Sequence, residues 1–262
     1  MKKYFWNLLL IVVIFFSCRQ IITLNLQSTP SQLVVEALLS DSDNSITLTR
    51  SLNFYDTSSF SNVDGATVYI LNSQYDTFYF KQDSLGIYKN SILKGIPRQT
   101  YFLYIQSNNQ TVTASCTMPD KVNLDSILIT KLSFITSVSY FIQPKYTDPD
   151  TPGNYYQFRF QKNDSISNAI IVRNDNTNNG GDNAQPIGSV DSLKLGDTIN
   201  VELRSITKPV FVYLNGLNAT KNSQIQPANP ISNLRTNQGY VFGYFNAYPS
   251  SKKTLIYKPP PK

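Results

Sequence analysis

From residue 33 onward, apolar and polar positions alternate in short runs. Residues 33–39, 46–49, 66–71, 77–80, 101–105 and 111–114 are rich in β-branched and aromatic side chains, the types that pack well on a pleated, half-buried surface. Between them stand Asp64-Gly65, Leu85-Gly86, Gly95-Ile96-Pro97 and Ser107-Asn108-Asn109, each a recognisable turn signal. No helical period interrupts the series. Short strands at this spacing predict an immunoglobulin-like or transthyretin-like β-sandwich over residues 32–120, closed by Met118-Pro119-Asp120.

A second segment, 121–258, continues in the same manner. An apolar strand is predicted at 126–130 and a longer pair around 140–142 and 155–160, joined through Asp148-Pro149-Asp150-Thr151-Pro152-Gly153-Asn154. In Gln157-Phe158-Arg159-Phe160-Gln161 the alternation predicts one apolar and one wet face. The period then changes. Val210, Tyr213, Leu214 and Leu217 stand at i, i+3, i+4 and i+7, the apolar stripe of an amphipathic helix, placed at about 207–221. Pro227-Ala228-Asn229-Pro230 marks a loop, and 240–245 with 254–257 reads as a terminal hairpin. The fold class is therefore mainly β: a sandwich followed by a second β-rich domain with one short helix, ending in a Pro-rich tail at 259–262.

The N-terminus has a different pattern. Lys2 and Lys3 precede an unbroken apolar run from Leu8 to Phe16. The run is too short for an ordinary bilayer-spanning helix, and its position and flanks are those of a secretory signal peptide over 1–17. Phe15-Phe16-Ser17-Cys18 adds a small residue directly before a cysteine, similar to a bacterial lipobox. In that reading the chain is cut before Cys18 and its thiol and amine are acylated. Several acyl chains anchor durably where one is marginal. The alternative is a simple signal peptide cut elsewhere, leaving Cys18 an ordinary thiol. Arg19 follows the cysteine, so the Asp-type inner-membrane retention signal is absent and the outer membrane is expected. Residues 18–31 read as a polar tether.

These features in order are similar to a known family. The lipobox, Leu33-Val34-Val35-Glu36, Val63-Asp64-Gly65-Ala66-Thr67-Val68, Gly86-Ile87-Tyr88, Gly95-Ile96-Pro97-Arg98-Gln99-Thr100-Tyr101, Thr117-Met118-Pro119 and Gly239-Tyr240-Val241-Phe242-Gly243-Tyr244-Phe245 together resemble the DUF4249 family of Bacteroidetes lipoproteins, over essentially the whole mature chain. The family is uncharacterised. Its members are commonly encoded beside TonB-dependent outer-membrane transporters, so the resemblance implies, by association, a transport-accessory role with such a transporter as partner. It supplies no catalytic residues. Many members carry acidic residues after the lipid cysteine as a surface-export signal; Arg19-Gln20-Ile21-Ile22 has none, which leaves open which face of the outer membrane the protein occupies.

Composition narrows the chemistry. The 262 residues contain no histidine and two cysteines, which excludes imidazole-based dyads, triads and metal sites, a disulfide framework and a four-cysteine zinc site. Cleavage at Cys18 would remove two of the 23 basic residues, leaving 21 against 17 acids, and would also remove the single Trp, Trp6. The remaining basic residues are scattered, giving no nucleic-acid footprint. Glu36 and Glu202 are the only glutamates, with no identifiable partner for paired-carboxylate hydrolysis. No nucleophile elbow, phosphate loop or dinucleotide fingerprint appears, and an enzyme is not expected. Cys116 reads as a small buried hydrophobe in a strand.

Two stretches remain. Residues 174–183 are dense in side-chain oxygens, and Asp175, Asn179 and Asp182 are the candidate ligands of a calcium loop. In the EF-hand frame from Asp175, Gly180 falls correctly but the twelfth position is Pro186 rather than Glu, so a solvated Asx/Gly loop with no cofactor is the main expectation. Phe54, Tyr55 and Phe60 lie in the polar loop between two early strands, where sandwiches build binding surfaces, and are the candidate partner contacts. The functional expectation is a lipid-anchored, non-catalytic accessory or ligand-binding protein. The alternative is a structural or adhesive envelope lipoprotein that binds glycan or another surface component.

Overall fold

The computed structural model describes residues 30–52, 60–133, 135, 137–222 and 230–258. The signal peptide, Cys18, most of the tether, Phe54, Tyr55, most of the loop before Pro230 and the Pro-rich tail lie outside the described residues.

The first sheet is built from β1 (Leu33–Leu39), β2 (Ser45–Arg50), β3 (Thr67–Leu71), β4 (Thr77–Ser84), β5 (Ile87–Lys89), β6 (Thr100–Ser107) and β7 (Gln110–Thr117), with β16 (Arg235–Thr236) and β17 (Val241–Ala247) joining from far along the chain. Its order is β16-β7-β6-β3-β4-β5-β2-β1-β17. The path folds over through β4, whose first half pairs with β3 and whose second half pairs with β5 from Lys81 on, with an irregularity between Gln82 and Ser84. The two ends approach each other, and the Ala247 amide donates to Cys116 Sγ at 3.3 Å. Alternation makes this possible: Leu33, Val35, Ala37 and Leu39 on β1 face inward with Ile46, Leu48, Ile70, Leu103 and Ile105, all fully buried.

A second core lies between two further sheets. One runs β11 (Ser165–Ile166), β10 (Tyr155–Lys162), β15 (Thr198–Ile206) and β18 (Ser250–Ile256), with β12 (Ile171–Asn174) also pairing β10. The other centres on β9 (Val138–Thr147), flanked by β8 (Ser126–Ser133), β13 (Asp182–Asn183) and β14 (Gly188–Val190). Ile127, Ile142, Tyr146, Tyr156, Phe158, Ile199, Val201 and Leu203 fill the space between them. Helix α1 (Lys208–Asn222) matches the helix predicted from the 3.6-residue period. Its Val210, Tyr213 and Leu214 pack with Ile206, Tyr244 and Tyr248 into a third cluster, and Leu217 joins at the margin.

Three expectations need correction. The terminal hairpin does not form: β17 pairs parallel with β1, whereas β18 pairs antiparallel with β15 in a different sheet. Consequently the first sheet is not confined to 32–120, because β16 and β17 return to it from the later segment. The physical reason lies partly in Gly243, at φ +107, where a Cβ would stand 1.7 Å from Val35 O. Only glycine lets the two backbones approach this closely. Finally, Gln157 is buried rather than wet, because β10 carries β12 on one side and β15 on the other, and its cross-strand neighbours are Val172 and Arg204.

Candidate binding face

On β3, β6 and the first half of β4 the residues between the core positions are not the usual scatter of charges; Lys81 and Asp83 follow only in the second half of β4. Tyr69 has Tyr79 of β4 and Tyr104 of β6 as its direct cross-strand partners. Tyr104 in turn faces Thr113 of β7, and Thr113 faces Arg235 of β16. A second row, Thr77–Leu71–Phe102–Ser115, runs beside the first. The Tyr69 and Tyr104 rings stack with centroids 5.0 Å apart and planes 10° from parallel, and Tyr79 lies 5.5 Å from Tyr69 at a tilt of 53°. Such cross-strand aromatic pairs stabilise a sheet in their own right.

A turn extends the aromatic area. The Asn72 side-chain oxygen accepts from the backbone N–H groups of Gln74 and Asp76, both at 2.9 Å. This Asx geometry holds Tyr75, at φ +64, where its ring stacks on Phe102 at 6.0 Å and 7°. Tyr75 is 71% exposed and Tyr79 61%. Most flanking positions are neutral and polar: Thr100 and Thr117 hydrogen-bond through their hydroxyls at 2.8 Å, and Thr111 donates to Gln106. The charged exception is exposed Lys81, two residues beyond Tyr79 on β4 and opposite Lys89. In the two rows Arg235 is the one charged side chain. No hydrogen bond or ion pair joins the Tyr69, Tyr79 or Tyr104 hydroxyl or the Arg235 guanidinium to another described residue. The sequence carries the parity of these tyrosines but not the register that lines them up.

The remaining candidates are placed as follows. Phe60 is 64% exposed beside Ser61, whose carbonyl accepts from Arg50 N–H. Asp175 is buried, and its Oδ2 accepts from the backbone N–H of Gly153 and Asn154 at 2.7 and 2.9 Å. Asn179 Nδ2 donates to Asp150 O at 2.7 Å, and Asp182 Oδ1 accepts from Thr147 Oγ1 at 2.7 Å. The three are thus drawn to separate partners, and among the described residues no group of three or more acidic or cysteine side chains is placed to hold a metal ion. Nearby, buried Asp148 accepts from the Tyr156 hydroxyl and from Gly180 N–H. Burial and that carboxylate together push the Tyr156 phenol far above its ordinary value.

The two glutamates belong to different sheets. Glu36 on β1 accepts from the Tyr244 hydroxyl. Glu202 on β15 pairs with Arg204 at 2.8 Å and Lys252 at 3.6 Å, and the Arg204 guanidinium lies 4.4 Å over the Tyr248 ring. An open cleft of about 320 Å³ beside them is lined by Arg159, Phe160, Asn200, Glu202 and Lys252 among others. Its single carboxylate is already engaged by two cations. Cys116 is buried, and burial pushes its thiol up, the opposite of what a nucleophile needs.

Comparison with known proteins gives a family and distant folds. The model of a family described as Domain of unknown function (DUF4249) matches residues 19–254. No curated protein matches. Solved structures similar to the chain include a cytokine receptor complex, 8% identical over 86% of this chain and 95% of that one with a TM-score of 0.25. A two-domain fibronectin type III segment of chicken tenascin is 12% identical over 68% and 91%, with a TM-score of 0.21.

Proposed function

The chain belongs to the DUF4249 family, and from that premise we propose that it is a non-catalytic, lipid-anchored binding protein of the outer membrane that serves a TonB-dependent transporter. The observation that carries the binding reading is the tyrosine face of β4, β3 and β6. Exposed aromatic area gathered in one place marks an interaction surface far more often than scattered apolar residues do. The lipobox ending at Cys18 supports the anchor, and the family's association with transporters supports the partner. Phe60, with Phe54 and Tyr55 outside the described residues, supplies the proposed contacts with that partner. The absence of histidine and the engagement of both glutamates favour binding over catalysis.

The test is affinity purification of the native protein from detergent-solubilised outer membranes. One transporter in near-stoichiometric amount is the expected result, and a protein that elutes alone overturns the accessory role. A second reading, a structural or adhesive envelope lipoprotein that binds glycan or another surface component, draws support from the hydroxyl-rich character of the same face. It predicts retention on glycan supports after the transporter has been deleted.

A further inference from the structure

We infer that the row Tyr79–Tyr69–Tyr104–Thr113–Arg235 is a binding site for a neutral glycan chain. This deepens the binding reading above by naming the ligand class, and it does not depend on the transporter.

Charge is the first constraint on the ligand. A face that docks a peptide or an anionic polymer gains specificity from complementary ions. Here five strands contribute nine positions in two cross-strand rows, of which only Arg235 is ionic, and the row beyond adds one further cation, Lys81, beside Tyr79. A face that docks another protein through a hydrophobic core is depleted in polar groups at its centre. Here each of the three central rings ends in a hydroxyl without a partner among the described residues, and Thr113, Ser115, Thr77 and Gln106 surround them, with Lys81 at the Tyr79 end. A surface that is both aromatic and rich in neutral donors and acceptors fits a ligand of the same mixed character. A sugar ring offers that mixture, with C–H faces for the rings and equatorial hydroxyls for the Tyr, Thr and Ser oxygens.

Geometry sets which parts are used. The Tyr69 and Tyr104 faces are largely occupied by each other, so these two present ring edges and hydroxyls. The strongly exposed rings are Tyr79, at the end of the row, and Tyr75, which stacks on Phe102 in the adjacent row. Stacking on the sugar therefore falls to Tyr79 and Tyr75, and hydrogen bonding to Tyr69, Tyr104 and Arg235, whose guanidinium carries five donors in a fixed fork. Neighbouring strands are about 4.8 Å apart, so the three tyrosines alone span about 10 Å, room for a chain of sugar rings rather than one monosaccharide. The ring pairs are held by strand register and the Asx turn, so little ordering opposes binding.

The experiment is affinity gel electrophoresis of the full chain in detergent, with β-glucan, xylan, galactomannan and starch as neutral probes and polygalacturonate as an anionic one. At least one neutral polysaccharide should retard the protein. Tyr79→Ala and Tyr75→Ala should each weaken that retardation roughly tenfold, Tyr79→Phe should retain most of it, and Arg235→Ala should weaken it less. Leu195→Ala, which removes an equally exposed apolar side chain (74%) from a distant turn, should change nothing. Circular dichroism of each variant separates lost binding from lost fold. The proposal is overturned if no neutral polysaccharide retards the protein, if polygalacturonate alone does, or if Tyr79→Ala and Tyr75→Ala bind as the parent does. The assay contains no transporter, so a negative result alongside successful co-purification would remove the glycan and leave the accessory role standing.

Discussion

The Tyr244 hydroxyl on β17 donates to Glu36 Oε1 on β1 at 2.8 Å, across a parallel strand pair whose members are 208 residues apart in sequence. The phenol is buried, whereas the carboxylate is open to water, so the bond ties the end of the chain to its beginning without burying a charge. Burial and the neighbouring Glu36 carboxylate hold the Tyr244 phenol well above its ordinary value. Tyr244→Phe keeps the ring contact with Tyr213 at 5.3 Å and removes only the donor. Glu36 can turn to water, so the cost should be about 1 kcal/mol, seen as a drop of about 2–4 °C in Tm. Glu36→Gln, which still accepts, should lose less.

Gly243 should be far less tolerant. A Cβ at this position would meet Val35 O at 1.7 Å and Val35 C at 2.6 Å, backbone atoms that cannot rotate away. Gly65 also has a positive φ, +67, but nothing lies within 4 Å of its Cβ position. Gly65→Ala should therefore cost only the backbone term, about 1–2 kcal/mol. Gly243→Ala adds a clash and should cost about 3 kcal/mol or more, with β17 lifting from β1. Thermal melts of the two variants, with hydrogen exchange of the Val35–Ala37 amides, distinguish the outcomes. Equal melting temperatures would contradict this account of how β17 joins the sheet.

What the sequence made legible follows from which forces are local. The stripe Val210, Tyr213, Leu214, Leu217 needs no partner to be recognised, and α1 lies within a residue of its predicted span. Strands β1 to β4, β6 and β7 are equally visible, because their inward residues alternate with outward ones. Strand β15, absent from the expected strands, alternates just as cleanly, with Ile199, Val201 and Leu203 against Asn200, Glu202 and Arg204, so its period is legible; only its central place between β10 and β18 depends on pairing. Pairing is harder. Nothing within 241–256 indicates that Tyr248-Pro249 carries the chain from one sheet to another rather than around a hairpin. The same gap hides the tyrosine row, since Tyr69, Tyr79 and Tyr104 become neighbours only through register.

Asp175 offers a test of the acidic loop. Its carboxylate is buried and accepts two backbone N–H groups from the 153–154 turn, so it acts as an internal cap that fastens β12 to the start of β10. Asp175→Ala should strand both donors and cost about 3 kcal/mol, whether or not calcium is supplied. A chelator should leave the melting temperature of the unaltered protein unchanged. A melting temperature that falls with chelator and recovers with calcium would instead restore the calcium-loop reading of Asp175, Asn179 and Asp182.

Buried phenols set the alkaline limit of the fold. Burial pushes Tyr146 up to about 12 from an ordinary value of 10.0, and Tyr156 and Tyr244 are also raised well above that ordinary value. A raised pKa means that the folded state holds the proton more tightly than the unfolded chain. The stabilisation is therefore complete below pH 10.0 and is lost as pH rises toward the folded values. Stability should be level up to that pH and then fall steeply, and tyrosinate absorbance from the buried rings should rise together with the loss of β-sheet circular dichroism. Tyr146 contacts Tyr156 and Phe158 through its ring, so Tyr146→Phe should change stability little at neutral pH and reduce the decline between pH 10 and about 12. Tyr156→Phe differs, because it leaves buried Asp148 without the hydroxyl it accepts from, and should already be destabilised at neutral pH by about 1.5–3 kcal/mol. Stability that stays level through pH 12 in the unaltered protein would contradict the burial of these phenols.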